Sequence, residues 1–105
     1  MAKKPETVFK ERIRPRLDRV PDSWWIKTQM LATVGVPDFL GCVNGLFVAI
    51  ELKASEADVI KSRVTIQSYI LHQINRSGGY GTYMYPENAD RVIDEICERA
   101  FSTPY

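Results

Sequence analysis

The chain has 105 residues and a mass of 12.0 kDa, enough for one domain spanning 1–105 with one modest core. With 45% hydrophobic and 26% charged residues it reads as a globular chain, neither a disordered tail nor a fibrous repeat. A net charge of +1 conceals an asymmetry: residues 1–27 hold eight Lys/Arg against four Asp/Glu, and residues 28–105 hold six against nine. A basic segment joined to an acidic body suits a polyanionic partner held near metal-binding carboxylates; a solvated basic helix face is the plainer alternative.

No apolar run approaches the roughly 20 residues needed to cross a bilayer, so no membrane association is expected. The lysines at positions 3 and 4 are not followed by an apolar stretch, which argues against a secretory signal. Cys42 and Cys97 stand far apart in no metal-ligand spacing. The expectation is therefore a cytoplasmic chain without zinc or disulfide. Cys42 itself is expected in the core.

Along the chain, Phe9, Ile13, Leu17 and Val20 recur at helical spacing and predict a helix from Pro5 to about Val20. Pro15 should kink it or end its regular part. The aromatic and β-branched run Trp24 to Thr28 predicts a strand that sends Trp24 and Trp25 to opposite faces. Residues 29–36 carry no decisive pattern. Strands are expected from Asp38 to Val43 and from Leu46 to Lys53, joined by Asn44-Gly45, a dipeptide in which both residues tolerate φ > 0. Residues 54–64 read as a polar loop. A helix follows from a cap near Thr65, carries Ile66, Tyr69, Ile70, Gln73 and Ile74 on one side, and ends at Gly78-Gly79. Tyr80 to Tyr85 predicts a strand. Asn88 is placed to cap a final helix whose apolar stripe runs through Ala89, Val92, Ile93, Ile96, Cys97, Ala100 and Phe101. The order α-β-β-β-α-β-α defines an α/β (α+β) single domain, a mixed central sheet with flanking helices.

The hairpin has a chemical consequence. A two-residue turn makes Val43 face Leu46, and in that register Asp38 falls opposite Glu51 at a non-hydrogen-bonded position, where side chains approach most closely. Two facing carboxylates repel unless a divalent cation or a shared proton compensates. Lys53 lies two residues beyond Glu51 and points to the same side. It can neutralise the pair or stabilise charge developing on a phosphate. Pro37 ends the ladder just there. Acids that splay into solvent from an edge hairpin are the alternative. On the first helix, at about 100° per residue, Glu6 lies about 20° from both Ile13 and Leu17, whereas Glu11 lies about 140° away. Glu6 thus shares the buried face, either as a site carboxylate or as an acid that offsets the helix dipole.

Gly35-Val36-Pro37-Asp38, then Ala49-Ile50-Glu51-Leu52-Lys53, then Gln67 resembles the PD-(D/E)XK nuclease superfamily, in particular the VRR-NUC branch with its small phage nucleases similar to Holliday-junction resolvases. The resemblance runs from Glu6 to about Ile96 and includes Gly78-Gly79 before the fourth strand. It implies a restriction-endonuclease-like fold and Mg²⁺-dependent hydrolysis of DNA phosphodiesters, with Mn²⁺ as a substitute ion and no small-molecule cofactor. It implies that Asp38 and Glu51 bind the metal, that Lys53 assists the water or the scissile phosphate, that Gln67 in the first turn of the second helix lines the site, and that Glu6 completes it.

Arg12, Arg16 and Arg19 share one side of the first helix, and Lys61 and Arg63 follow the metal motif; all five are candidate DNA-backbone contacts or simply solvated. His72 has no partner in sequence and is given no role. The functional expectation is a metal-dependent, structure-selective endonuclease acting on branched DNA such as Holliday junctions, working as a homodimer, and cytoplasmic in a bacterial host if phage-encoded. A nickase, flap nuclease or exonuclease, and a non-cutting DNA-binding module on the same fold, are the alternatives.

Overall fold

A computed structural model describes residues 2–28 and 34–102. The order expected from the sequence is present, as α1 (Pro5–Asp18), β1 (Ser23–Lys27), β2 (Phe39–Val43), β3 (Leu46–Leu52), α2 (Glu56–Lys61), α3 (Ile66–Arg76), β4 (Tyr80–Met84) and α4 (Ala89–Phe101). The four strands lie in the order β1-β2-β3-β4, with β1/β2 and β2/β3 antiparallel and β3/β4 parallel. Residues 29–33, part of the stretch without a decisive pattern, lie outside the described residues. No helix among the described residues is long and apolar enough to cross a membrane.

One face of the sheet carries the core. Trp25, Phe39, Val43, Val48, Ile50, Leu52, Tyr80 and Met84 meet Phe9, Ile13, Leu17 and Val20 at the first helix and Ala89, Val92, Ile96 and Ala100 of α4. The other face is covered over β3 and β4 by α3, whose Leu71 backbone lies against Gly81. Over β1 and β2 no described helix covers it: Trp24 is 64% exposed while Trp25 is buried, the opposite-face placement expected of them. At the end of α3, Gly79 N–H donates to Ile74 O and Gly78 N–H to Asn75 O, with Gly78 at φ +94°, closing the helix as a Schellman motif. Between β2 and β3, Asn44 at φ 47° and Gly45 at φ 87° form the expected tight turn. The Asn44 side-chain amide also donates to Ala100 O at 2.8 Å, tying the turn to the end of α4.

Four expectations are corrected, and of the two outcomes expected at Pro15 one is excluded. The segment 54–64 is not wholly loop, because α2 forms within it: the Ser55 hydroxyl accepts from Asp58 N–H, and Glu56 and Asp58 place negative charge at the helix start. Pro15 does not end α1, which continues through it to Asp18. The carbonyl left without a donor is that of Glu11, and both residues are exposed, so water can satisfy it. Cys42 is exposed rather than in the core, since residues 39, 41 and 43 point inward and residue 42 points out. Asn88 stands at the N-cap position of α4 without a side-chain capping bond. Its amide instead accepts from Tyr85 N–H and donates to Tyr83 O, pinning the end of β4 across a 3-10 turn, Pro86–Asn88. Phe101 is exposed at the helix terminus rather than part of the buried stripe.

The buried Trp25 indole lies over Gly41 on the neighbouring strand, and a Cβ at that glycine would sit 2.3 Å from the ring and 2.8 Å from Trp24 O. Displacing the ring would not relieve the crowding, because the Trp24 carbonyl oxygen would still stand too close to the added carbon. Gly41→Ala should lower stability by about 2 kcal/mol or more, read as a drop in denaturant midpoint at unchanged m-value. An unchanged midpoint would refute this packing.

Candidate acidic site at the open end of the β2–β3 hairpin

The register of β2 and β3 runs from Val43↔Leu46 to Phe39↔Ile50, and pairing stops there. The stop has a local cause. Pro37 has no N–H to donate, and its carbonyl accepts a hydrogen bond from the Thr28 hydroxyl on the β1 side. Thr28 N–H also donates to Asp38 O at 2.9 Å, which anchors this end of β2 to the end of β1.

Beyond the stop, carboxylates replace the ladder. Leu52 N–H, whose ladder acceptor would be the Pro37 carbonyl engaged by Thr28, donates instead to Asp38 Oδ2 at 2.8 Å. Asp38 N–H donates to Glu51 Oε1 at 3.1 Å. Each carboxylate therefore spends one oxygen on backbone, which fixes its orientation. The other oxygens face ammonium groups: Lys10 Nζ donates to Asp38 Oδ1 at 3.1 Å, and Lys53 Nζ lies 3.7 Å from Glu51 Oε2. Lys53 also donates to Gln67 Oε1 at 3.0 Å, joining the first turn of α3 to the hairpin. Among the described residues no buried side-chain nitrogen or oxygen lacks a partner.

Of the residues singled out in the sequence, the structure brings together Asp38, Glu51, Lys53 and Gln67. Glu6 is half-buried on the expected side of α1, and Glu11 is exposed and paired with Lys3 at 2.8 Å. Glu6 does not join the pair as a third acid, since no three His, Cys, Asp or Glu side chains cluster closely enough to hold an ion among the described residues. What α1 sends to the site is Lys10, one turn further on. The sequence carried that signal, because residue 10 follows residue 6 on the same helix face; a search confined to acids passes over it.

The arginine row lies elsewhere. Arg16 pairs with Asp90 of α4, Arg12 and Arg16 line a cleft with Pro86 and Ala89, and Arg19 lies beside Ile93 and Cys97. These three residues flank α4, on the side of α1 away from Lys10. Lys61 is exposed in the last turn of α2, and Arg63 lines a polar cleft with Glu56, Tyr85 and Arg91. His72 is exposed on α3.

Glu51 is the electrostatic centre. Only 4% of it is exposed, and burial, followed by the neighbouring Asp38 carboxylate, pushes its pKa from 4.5 up to about 8 against the opposing pull of Lys53. Two carboxylates offer hard oxygen donors of the kind that hold Mg²⁺ together with water, so the donor set fits a divalent cation. Compared with known family models, with curated proteins and with solved structures, the chain matches none.

The raised Glu51 pKa sets a pH dependence. The folded chain keeps a proton that the unfolded chain releases near pH 4.5, so this contribution is complete below that pH and is lost as pH rises through about 8. The melting temperature without divalent metal should therefore fall between about pH 5.5 and about pH 8.5. Glu51→Gln, which cannot ionise, should flatten the fall. An equal slope in the variant would remove Glu51 from the account.

Proposed function

We propose that this protein is a metal-dependent, structure-selective DNA endonuclease of the PD-(D/E)XK kind, close to the VRR-NUC branch, hydrolysing phosphodiester bonds at branched DNA. The observation that carries the reading is the pairing of Asp38 with Glu51, oriented by backbone N–H groups and flanked by Lys53 with its Gln67 partner. That is the arrangement a phosphodiester hydrolase needs: oxygen donors for a hard cation and a fixed ammonium beside them.

In this reading Asp38 and Glu51 would hold Mg²⁺, which would supply charge neutralisation and lower the pKa of the attacking water. Lys53 stays within reach of the phosphate because Gln67 and Glu51 fix its ammonium from two sides. In the reaction a water oxygen bonds to phosphorus and gives up a proton, one P–O ester bond breaks, and the departing oxygen takes up a proton. Lys53 opposes the negative charge that grows on the phosphoryl oxygens. Selectivity rests on backbone shape rather than base edges.

Cleavage of labelled four-way junctions should require Mg²⁺ or Mn²⁺ and stop in excess chelator. Asp38→Asn and Glu51→Gln should each abolish cutting, by about a thousandfold or more, while DNA binding persists. Lys53→Ala should lower the rate far more than the affinity. Wild-type cutting in chelator, or by either carboxylate variant, overturns the assignment. Flap, nicked and linear DNAs in the same assay decide substrate preference, and binding without cutting of any of them identifies a non-catalytic module.

Cutting both strands of a junction needs two sites, and each chain carries one, so the proposed working unit is a symmetric pair. The open half of the outer sheet face suits a second copy. Trp24, Cys42 and Phe47 stand side by side across β1, β2 and β3, and Ile26 lies next along β1. All four are exposed and uncharged, so apposing the patch to its own copy brings no like charges together. Light scattering should give a dimer mass for the wild type and a monomer for Trp24→Glu. A monomeric wild type, alone and on junction DNA, would refute the pairing.

A further inference from the structure

We infer that Lys10 is a resident counter-ion of this site, one that gives up Asp38 to a divalent cation and then binds a phosphate of the DNA. The inference rests on the proposed nuclease reading and adds to it a substrate-binding residue from α1.

The argument starts from the four carboxylate oxygens. Asp38 Oδ2 and Glu51 Oε1 are committed to backbone N–H groups at 2.8 and 3.1 Å. Those bonds belong to the end of the hairpin. The oxygens left for an ion are Asp38 Oδ1 and Glu51 Oε2, and each now faces an ammonium group, Lys10 and Lys53 respectively. A cation that takes these oxygens must compete with both lysines.

The two lysines are not equivalent in that competition. Lys53 stands 3.7 Å from Glu51 and already donates to Gln67 Oε1 at 3.0 Å, so it keeps a neutral acceptor when Glu51 is engaged elsewhere. Lys10 makes a single side-chain bond among the described residues, the one to Asp38 at 3.1 Å. Its side chain is only 19% exposed, as is that of Asp38. Displaced from Asp38, it is a sheltered ammonium that has lost the side-chain bond it makes among the described residues, and the anion that arrives there is the substrate phosphate.

Lys10 also stands on the right flank of α1. At about 100° per residue it lies roughly 160° from Arg12 and roughly 180° from Arg19, so it alone of these cations faces the β2 end of the sheet rather than α4. Charge removed here acts on the site, whereas charge removed from the arginine row acts on the α1–α4 seam.

The test uses Lys10→Met, which keeps the stem and removes the charge, and Lys10→Arg, which keeps the charge. Mn²⁺ binding is titrated calorimetrically without DNA, and junction binding is measured in Ca²⁺ over a range of salt. Lys10→Met should bind Mn²⁺ about tenfold more tightly than wild type, because one competing positive charge is gone. It should bind junction DNA more weakly, with the slope of log affinity against log salt reduced by about 0.9, the loss of one phosphate contact. Lys10→Arg should hold DNA affinity, salt slope and Mn²⁺ affinity near wild type, and if Lys10→Met does not fold, Lys10→Gln takes its place with the same expected gain in Mn²⁺ affinity and loss of salt slope. Equal Mn²⁺ affinity in wild type and Lys10→Met, or an unchanged salt slope, overturns the role of Lys10 and leaves the nuclease reading standing. Absence of Mn²⁺ binding by the wild type and Lys10→Met alike overturns both.

Discussion

The hairpin register forces two carboxylates into contact where the ladder runs out, and the surroundings of the site are responses to that repulsion. Two like charges about 4 Å apart near a protein surface cost on the order of 4 kcal/mol at an effective dielectric constant near 20. The chain meets this cost in three ways. Backbone N–H groups of Asp38 and Leu52 each bind a carboxylate oxygen, lysines from α1 and from the end of β3 take the remaining oxygens, and Glu51 holds its proton to unusually high pH. Burial makes each response necessary, because Glu51 stands on an inner strand with little water to solvate its charge.

The termination of the ladder matters as much as the acids. In an unbroken ladder residues 37 and 52 would form the next hydrogen-bonded pair, residue 37 N–H donating to Leu52 O and Leu52 N–H to the carbonyl of residue 37. Proline removes the first of these bonds, and because the Pro37 carbonyl accepts from the Thr28 hydroxyl on the other side, Leu52 N–H donates to the Asp38 carboxylate instead. One residue thus ends the pairing, supplies a donor to the site and keeps β1 attached to the same end of the sheet.

What could be read from the sequence follows from how local each determinant is. The Asn44-Gly45 turn fixes a register by its own backbone angles, and from it the apposition of Asp38 and Glu51 is arithmetic. The buried stripe of α1 and the glycine end of α3 are equally local. Cys42 was legible too, since the register that opposes Asp38 to Glu51 also turns residue 42 away from the core; judging it by residue type overrode its position. By contrast, α2 has no buried residue and depends on the Ser55 cap, so it leaves no apolar period to detect. Asn88 failed as a cap because the end of β4 competes for its amide, a contact that exists only once the sheet is assembled.

The basic residues of α1 mark where sequence reasoning stops. A helical projection groups Arg12, Arg16 and Arg19 on one side, but nothing in the projection says what that side meets. In the fold it meets α4, and Arg16 is held by Asp90 across the seam. On the opposite flank of the buried stripe, Arg14 reaches Trp25 O and lies over the Phe39 ring, and Lys10 reaches Asp38. The helix therefore divides its positive charge between two tasks. Arg12, Arg16 and Arg19 flank the seam between the two helices of the core layer. Lys10 and Arg14 serve the strands, and of these two only Lys10 is close enough to the acidic pair to share its charge. Net charge alone would have assigned the whole basic segment to one polyanionic surface, and it is the direction of each side chain on the helix that separates structural cations from the one that enters the site.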